Sequence, residues 1–274
     1  MKITVMSLFR DSESYIYDCL NRLKLLESKH EIEYRFYEND SVDSTKQILS
    51  TWLSSRNGKL LSESLGRPKF GTMVSSDRFK YMAEYRNKLL EFSKPIESDY
   101  CFLLDSDVIF DESIIDDYLV YMNENVAMLT SNTVQYELPC VMYNTSLPSY
   151  YDSLALFDLE GNNCMTWSSN PFYREEDVSK WDRYEPVSVL RAFAGAALIK
   201  SDILNKVRWY SDGDLEHWYF CDEVKKHGDI LAIPTIKTRV VIDRSLVNSI
   251  PKEHINRVKM FQEKRLHDIN NTKL

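Results

Sequence analysis

Two aspartates separated by one residue, Asp105-Ser106-Asp107, follow the apolar run Tyr100-Cys101-Phe102-Leu103-Leu104 and precede Val108-Ile109-Phe110. A β-strand sends residues two apart to the same side, so both carboxylates belong at the end of one buried strand. Like charges there repel, and burying them unpaired is costly. A divalent cation removes the conflict. Hard oxygen ligands suit Mg2+ or Mn2+, which then bridge to diphosphate oxygens. The end of a buried parallel strand is also where open α/β sheets bind ligands. The competing reading is a pair of solvated turn acids, because the spacing alone is common; the apolar flanks weigh against it. Asp243 and His254 are the candidates for a third metal ligand, although a lone Asp or His is more often structural or solvated.

Other residue types fit a phosphate-bearing ligand and its reaction. Glu38-Asn39-Asp40 ends the second strand of the pattern, where a carboxylate can accept hydrogen bonds from ribose hydroxyls or a base. Turn and helix capping by Asp40, Ser41 and Asp43 is the plainer account, and it leaves Glu38 unexplained. Arg78, Lys80 and Arg86 lie on the helix before the aspartate strand, and guanidinium groups bind diphosphate through paired hydrogen bonds. An ordinary charged helix face is the alternative, above all for Lys80. Glu216-His217 opens a helix after the turn-rich Ser211-Asp212-Gly213-Asp214. A carboxylate there can act as a base, or simply complement the helix dipole. Ala194-Gly195-Ala196-Ala197 offers either exposed backbone near a site or tight core packing.

The elements that must position these groups follow from periodicity. Residues 3–9 and 31–37 read as strands, and Ile16, Leu20, Leu23 and Leu26 mark a helix between them, capped at Asp11 or Ser12. Asp43 or Ser44 caps a second helix carrying Ile48, Leu49, Trp52 and Leu53. This β-α-β-α order predicts a right-handed parallel sheet covered by helices. A short strand over 59–65 ends at Gly66-Arg67-Pro68, and residues 76–92 form a helix. After the aspartates come a helix holding Ile114 to Met122 and a strand over 126–130. Residues 139–186, rich in Tyr, Asn, Ser, Asp and Trp, read as long ordered loops, often a functional feature. Regularity returns over 187–200. A helix over 215–226 precedes two strands, 229–233 and 236–242, on either side of Pro234, and the tail from 251 is polar and helical.

Composition narrows the function classes. The chain has 274 residues, 43% of them hydrophobic and 28% charged, which suits one folded α/β domain. Only 7 residues are Gly, and no dinucleotide or P-loop glycine pattern occurs, so phosphate binding needs another device. A formal charge of −8 disfavours nucleic acid and anionic membranes as partners. The five cysteines, Cys19, Cys101, Cys140, Cys164 and Cys221, are scattered and read as buried thiols in a reducing compartment. No run approaches the ~18 apolar residues of a membrane span. The N-terminal apolar run is too short for a signal peptide, so a cytoplasmic protein without a membrane anchor is expected.

Six pieces in order resemble a known pattern. They are Tyr37 to Thr45, Arg78 to Asn87, Phe102 to Val108, Tyr151 to Gly161, Ala192-Phe193-Ala194-Gly195, and Leu215-Glu216-His217. Together they are similar to the GT-A glycosyltransferases, and within them to the cryptococcal-type α-1,3-mannosyltransferase family. The resemblance implies a single Rossmann-like GT-A domain of α/β class, with a mixed, mainly parallel sheet flanked by helices. It implies a nucleotide-sugar-binding half over 1–130, an acceptor-binding half over 131–250 and a helical tail over 251–274. It further implies a GDP- or UDP-linked donor, Mn2+ or Mg2+, and a glycan hydroxyl as acceptor. Under it Glu38 and Asp40 lie near the nucleotide, Arg78 and Arg86 near the phosphates, Asp105 and Asp107 at the metal. Asp152, Asp158, Gly195, Glu216 and His217 surround the donor sugar and acceptor, with Glu216 ahead of Asp152 or Asp158 as base. The family's Arg-Asp pair reads Phe157-Asp158 here, and His217 stands where related enzymes often have an acid. Two other classes remain: a sugar-phosphate nucleotidyltransferase, which normally needs a glycine-rich basic loop that Ser7 to Ser12 lacks, and a non-catalytic carbohydrate-binding protein using Tyr143, Tyr150, Tyr151, Trp167 and Tyr173.

Overall fold

A computed structural model describes residues 1–70, 75–135, 148–164 and 168–241. Ten strands form one sheet: β1 (Lys2–Phe9), β2 (Glu31–Asn39), β3 (Gly58–Glu63), β4 (Tyr100–Asp105), β5 (Val108–Ile109), β6 (Val126–Gln135), β7 (Ser149–Tyr150), β8 (Val187–Val189), β9 (Ala196–Lys200) and β10 (Asp229–Val240). The order is β3-β2-β1-β4-β9-β6-β10-β5, with β7 paired to β6 and β8 to β10. The long ladders β3-β2-β1-β4 and β6-β10 are parallel; β9 enters antiparallel between β4 and β6. Seven described helices accompany it: α1 (Ile16–Leu26), α2 (Thr45–Leu53), α3 (Ser76–Ser93), α4 (Ile114–Leu119), α5 (Glu175–Asp182), α6 (Ser201–Leu204) and α7 (Glu216–Lys225).

The sheet is buried on both faces, and β4 shows how one apolar run serves two cores. Phe102 and Leu104 pack with Leu20, Leu23, Leu49 and Ile115 from α1, α2 and α4. Cys101 and Leu103 point the other way, to Leu89, Leu90 and Phe220 from α3 and α7. The period of two then sends Asp105 toward the α3 and α7 side. That parity decides which side chains the first aspartate can meet.

Local chemistry moved several expected boundaries. The first helix starts at Ile16 because Asp11 and Ser12 are engaged elsewhere. Asp11 adopts φ 45° and its carboxylate accepts the Val42 amide, while the Ser12 amide donates to Thr45 Oγ1. Ser44 is the N-cap of α2, and Asp43 just before it accepts the Thr45 amide at 2.9 Å. Ser75 caps α3 by accepting the Arg78 amide at 3.2 Å. Residues 229–240 form one strand rather than two: the pairing with β6 shifts register between Ile233 and Lys237, and Pro234, which lacks an N–H, sits in that irregularity. The stretch read as loops contains α5, whose Trp181 is buried against Tyr150 and Phe172. Its period is too short to register, with Val178 and Trp181 its apolar residues. Cys19, Cys101 and Cys221 are buried free thiols, and Cys164 is buried too. Among the described residues no helix is long and apolar enough to cross a membrane. Cys140, Tyr143, Trp167, Asp243, His254 and the tail 251–274 lie outside the described residues.

Candidate active site

Asp105 ends β4, and its amide donates to the Gly195 carbonyl at 2.8 Å. Asp107 lies in the turn before β5 and is fixed from behind by the Val241 amide on its carbonyl, 2.7 Å. No cation among the described residues pairs with the Asp107 carboxylate. Burial, reinforced by the charge of Asp105, pushes Asp107 up to about 7. Burial also raises Asp105, against the opposing pull of Arg86.

α3 supplies that arginine and α7 a third carboxylate. Arg86 Nη2 donates to Asp105 Oδ1 at 3.3 Å, and Nε donates to Glu216 Oε1 at 3.2 Å. Glu216, the first residue of α7, is 3% exposed, and its Oε2 has no hydrogen-bond partner. The His217 ring stacks on Phe193 at 3.9 Å, and Nε2 lies 3.5 Å from Glu216 Oε1. Burial, with Arg86 and Arg78 nearby, holds His217 well below the usual imidazole range, so it is neutral; its Nδ1 is also unpartnered. Buried polar atoms without partners are rare and call for a ligand or water.

Asp152, with φ 60°, accepts the Ala194 amide at 3.2 Å. Burial and the charges of Asp105 and Glu216 push it up to about 8. Gly195 is required where it stands. Its φ is +69°, and a Cβ would lie 2.8 Å from Val108 Cγ2 and 3.4 Å from Asp105 Oδ2.

These groups face one cleft of about 270 Å3. Its walls include Asp105, Asp107, Asp152, Glu216 and His217, together with Arg10, Asn39, Lys69, Phe70, Arg78 and Arg86. The Arg78 side chain makes no ion pair among the described residues, so its charge is free for a ligand. Lys80 lines a separate, more open depression of about 580 Å3 that none of these carboxylates reaches.

The remaining sequence candidates shape loops. Glu38 is 2% exposed and accepts the Ser41 amide and the Ser62 hydroxyl. Asp40, at φ 55°, accepts the amides of Leu65, Gly66 and Arg67. It also holds Asn39 Nδ2 at 3.0 Å, so the cleft meets Asn39 rather than its two acidic neighbours. Asp158 accepts the Glu160 and Asn162 amides within its own turn and does not line the cleft.

Among the described residues no group of three or more His, Cys, Asp and Glu side chains gathers as a metal site. The aspartate pair nevertheless fits a hard divalent cation. Asp107 is a carboxylate without a cation partner among the described residues, raised first by burial and then by the charge of Asp105, and Mg2+-type ions commonly take one or two carboxylates plus substrate phosphates and water.

The raised acids predict a pH dependence of stability. A carboxyl with a higher pKa in the folded chain keeps its proton over the interval between the two values. There the folded state binds more protons, and stability falls as pH rises. The window runs from about 4 to about 7 for Asp107 and to about 8 for Asp152. Asp40 and Asp43 are shifted downward, so their contribution is lost only at more acid pH. In chelator, the urea midpoint is expected to fall from pH 5 to pH 8, roughly the upper part of this window, and Asp107→Asn to flatten part of the slope. A wild-type midpoint that climbs over the same range, unchanged by the substitution, contradicts the burial of these acids.

Residues 10–227 match the family described as cryptococcal mannosyltransferase 1. The chain belongs to this mannosyltransferase family. Among solved structures, the S. aureus TarS fragment 1–349 is similar at TM-score 0.53 and 16% identity, over 94% of this chain and 69% of that one. The same fragment in complex with UDP-GlcNAc aligns at 0.53 and 16%, over 94% and 64%. The mannosyltransferase PcManGT from Pyrobaculum calidifontis, in complex with GDP-Man and Mn2+, aligns at TM-score 0.55 and 10% identity, over 88% and 57%. No curated protein matches the sequence. The architecture of this family member is that of the GT-A glycosyltransferases, with an α/β sheet, mainly parallel, in one layer between helices.

Proposed function

We propose that the chain is a glycosyltransferase that moves a sugar from a nucleoside-diphosphate donor to a hydroxyl of a glycan acceptor, with Mn2+ or Mg2+ held by Asp105 and Asp107. The observation that carries this reading is the aspartate pair at the tip of β4, facing a cleft with an unpaired arginine, Arg78, and an unpartnered carboxylate oxygen, Glu216 Oε2. The family match and the ligands named for TarS and PcManGT support the donor class and the metal. When bound, the ion supplies Lewis-acid stabilisation of charge on the leaving diphosphate.

The chain's own groups divide the rest of the work. Arg78 pairs with the diphosphate, and Asn39 and Phe70, which line the same cleft, are the groups offered to the nucleoside. Glu216 Oε2 receives the proton of the acceptor hydroxyl. The acceptor oxygen forms a bond to the anomeric carbon as the bond from that carbon to the phosphate oxygen breaks. The electron pair leaves with the diphosphate. Neutral His217 offers Nδ1 as an acceptor for a sugar hydroxyl. Asp243 or His254 would complete the metal ligands, and Asp158 stands too deep in its own turn to take part.

A panel of GDP- and UDP-linked sugars tests the reading. With Mn2+ or Mg2+ present, release of GDP or UDP from one donor, stimulated by a glycan acceptor and abolished by chelator, is expected. Release of pyrophosphate from a nucleoside triphosphate and a sugar phosphate would instead assign a nucleotidyltransferase.

A further inference from the structure

The geometry points to Arg86 as a positioning residue for the Glu216 carboxylate rather than a ligand of the donor diphosphate, an inference that rests on the transferase reading. Its side chain is only 10% exposed. Two of its donors are committed, Nη2 to Asp105 Oδ1 and Nε to Glu216 Oε1. Its Cζ lies over the Phe193 ring, 4.9 Å from the centroid. A buried guanidinium tied to two carboxylates through Nε and Nη2, with an aromatic ring beside it, is poorly placed to swing toward a ligand. Arg78, about two turns earlier on α3, shares the cleft wall and makes no ion pair among the described residues.

What Arg86 does hold is an alignment. By fixing Glu216 Oε1 it leaves Oε2 as the free oxygen. Phe193 carries Arg86 on its ring and stacks on His217, so the same contact sets both acceptor groups. Lysine, a point charge on a flexible stem, cannot reproduce a bridge between two carboxylates 130 and 19 residues away in sequence. The electrostatic link to Asp105 is preserved in part by Lys, but the alignment is not.

The test separates binding from turnover. Arg86→Gln, Arg86→Lys and Arg78→Gln are compared for the Kd of GDP and UDP with Mn2+ by calorimetry, and for kcat and KM with the donor that the wild type uses. Arg86→Gln is expected to leave the nucleotide Kd within about 3-fold and lower kcat about 100-fold, the scale of a misplaced reacting group. Arg86→Lys is expected to recover only part of kcat. Arg78→Gln is expected to weaken the nucleotide about 10-fold or more, the scale of a lost charge-assisted hydrogen bond. Removing a buried cation can unfold the variant, so Glu216→Gln/Arg86→Gln, which loses both charges, is measured against Glu216→Gln alone. If Arg86 acts through Glu216, the second substitution adds less than about 3-fold to the loss in kcat, the non-additivity expected of coupled residues. A Kd weakened by Arg86→Gln or by the double variant as much as by Arg78→Gln, with kcat retained at saturation, overturns the assignment. A wild type that binds neither nucleotide sinks the transferase reading itself, a distinct outcome.

Discussion

Asp107→Ala is expected to lower kcat/KM for transfer by about 10³-fold, because the loss of a metal-bearing carboxylate removes several kcal/mol of charge stabilisation at the leaving group. The size of the effect follows from how the two aspartates differ. Asp105 shares a buried cation with Glu216 through Arg86. Asp107 has no cation among the described residues, and burial has lifted it to about 7. An unpaired carboxylate in that state costs stability in the empty protein and is best explained by a charge it meets on binding. The substitution should therefore fold at least as well as the wild type, with an equal or higher thermal midpoint. Loss of activity together with retained stability is the expected pair of results. A variant that turns over normally, or that fails because it unfolds, removes the argument.

Glu216→Gln is the second large effect. General-base catalysis contributes typically about 10² to 10⁴-fold, and the isosteric amide cannot take a proton. Gln keeps an oxygen for Arg86 Nε and fills the same space at the start of α7, so donor binding should stay within a few fold of wild type. The split to measure is a collapsed kcat beside an unchanged Kd for the nucleotide. Near-normal kcat would show that the acceptor proton goes elsewhere, as in a retaining displacement where the leaving phosphate takes it.

Much of the framework was legible from local signals. The apolar run before Asp105 reads as a doubly buried strand, and strand parity then fixes the direction of its last carboxylate. The same logic found α3, its start and the parallel β1-β2 pair. The roles of Glu38 and Asp40 were not legible, because each accepts amides or a hydroxyl from chain segments up to 27 residues away, and a loop's folding back leaves no period in sequence. Asp158 looks chemical beside Tyr151-Asp152, yet its oxygens close the short turn 158–162. Arg86 carried a phosphate-binding signal by type alone. That it lies between Asp105 and Glu216 depends on α3 and α7 meeting over the same sheet face, a tertiary fact. Asn39 could have been found: it ends β2, and the pleat turns its side chain to the face opposite Glu38.

The most direct measurement is calorimetry of GDP and UDP against the wild-type chain, with Mn2+ and again in excess chelator. Saturable binding of one nucleotide that needs Mn2+, and that vanishes in Asp107→Ala while the folded state persists, is the predicted result. Equal binding with and without the ion, or unchanged binding in Asp107→Ala, would show that the aspartate pair at the end of β4 does not link a cation to a diphosphate.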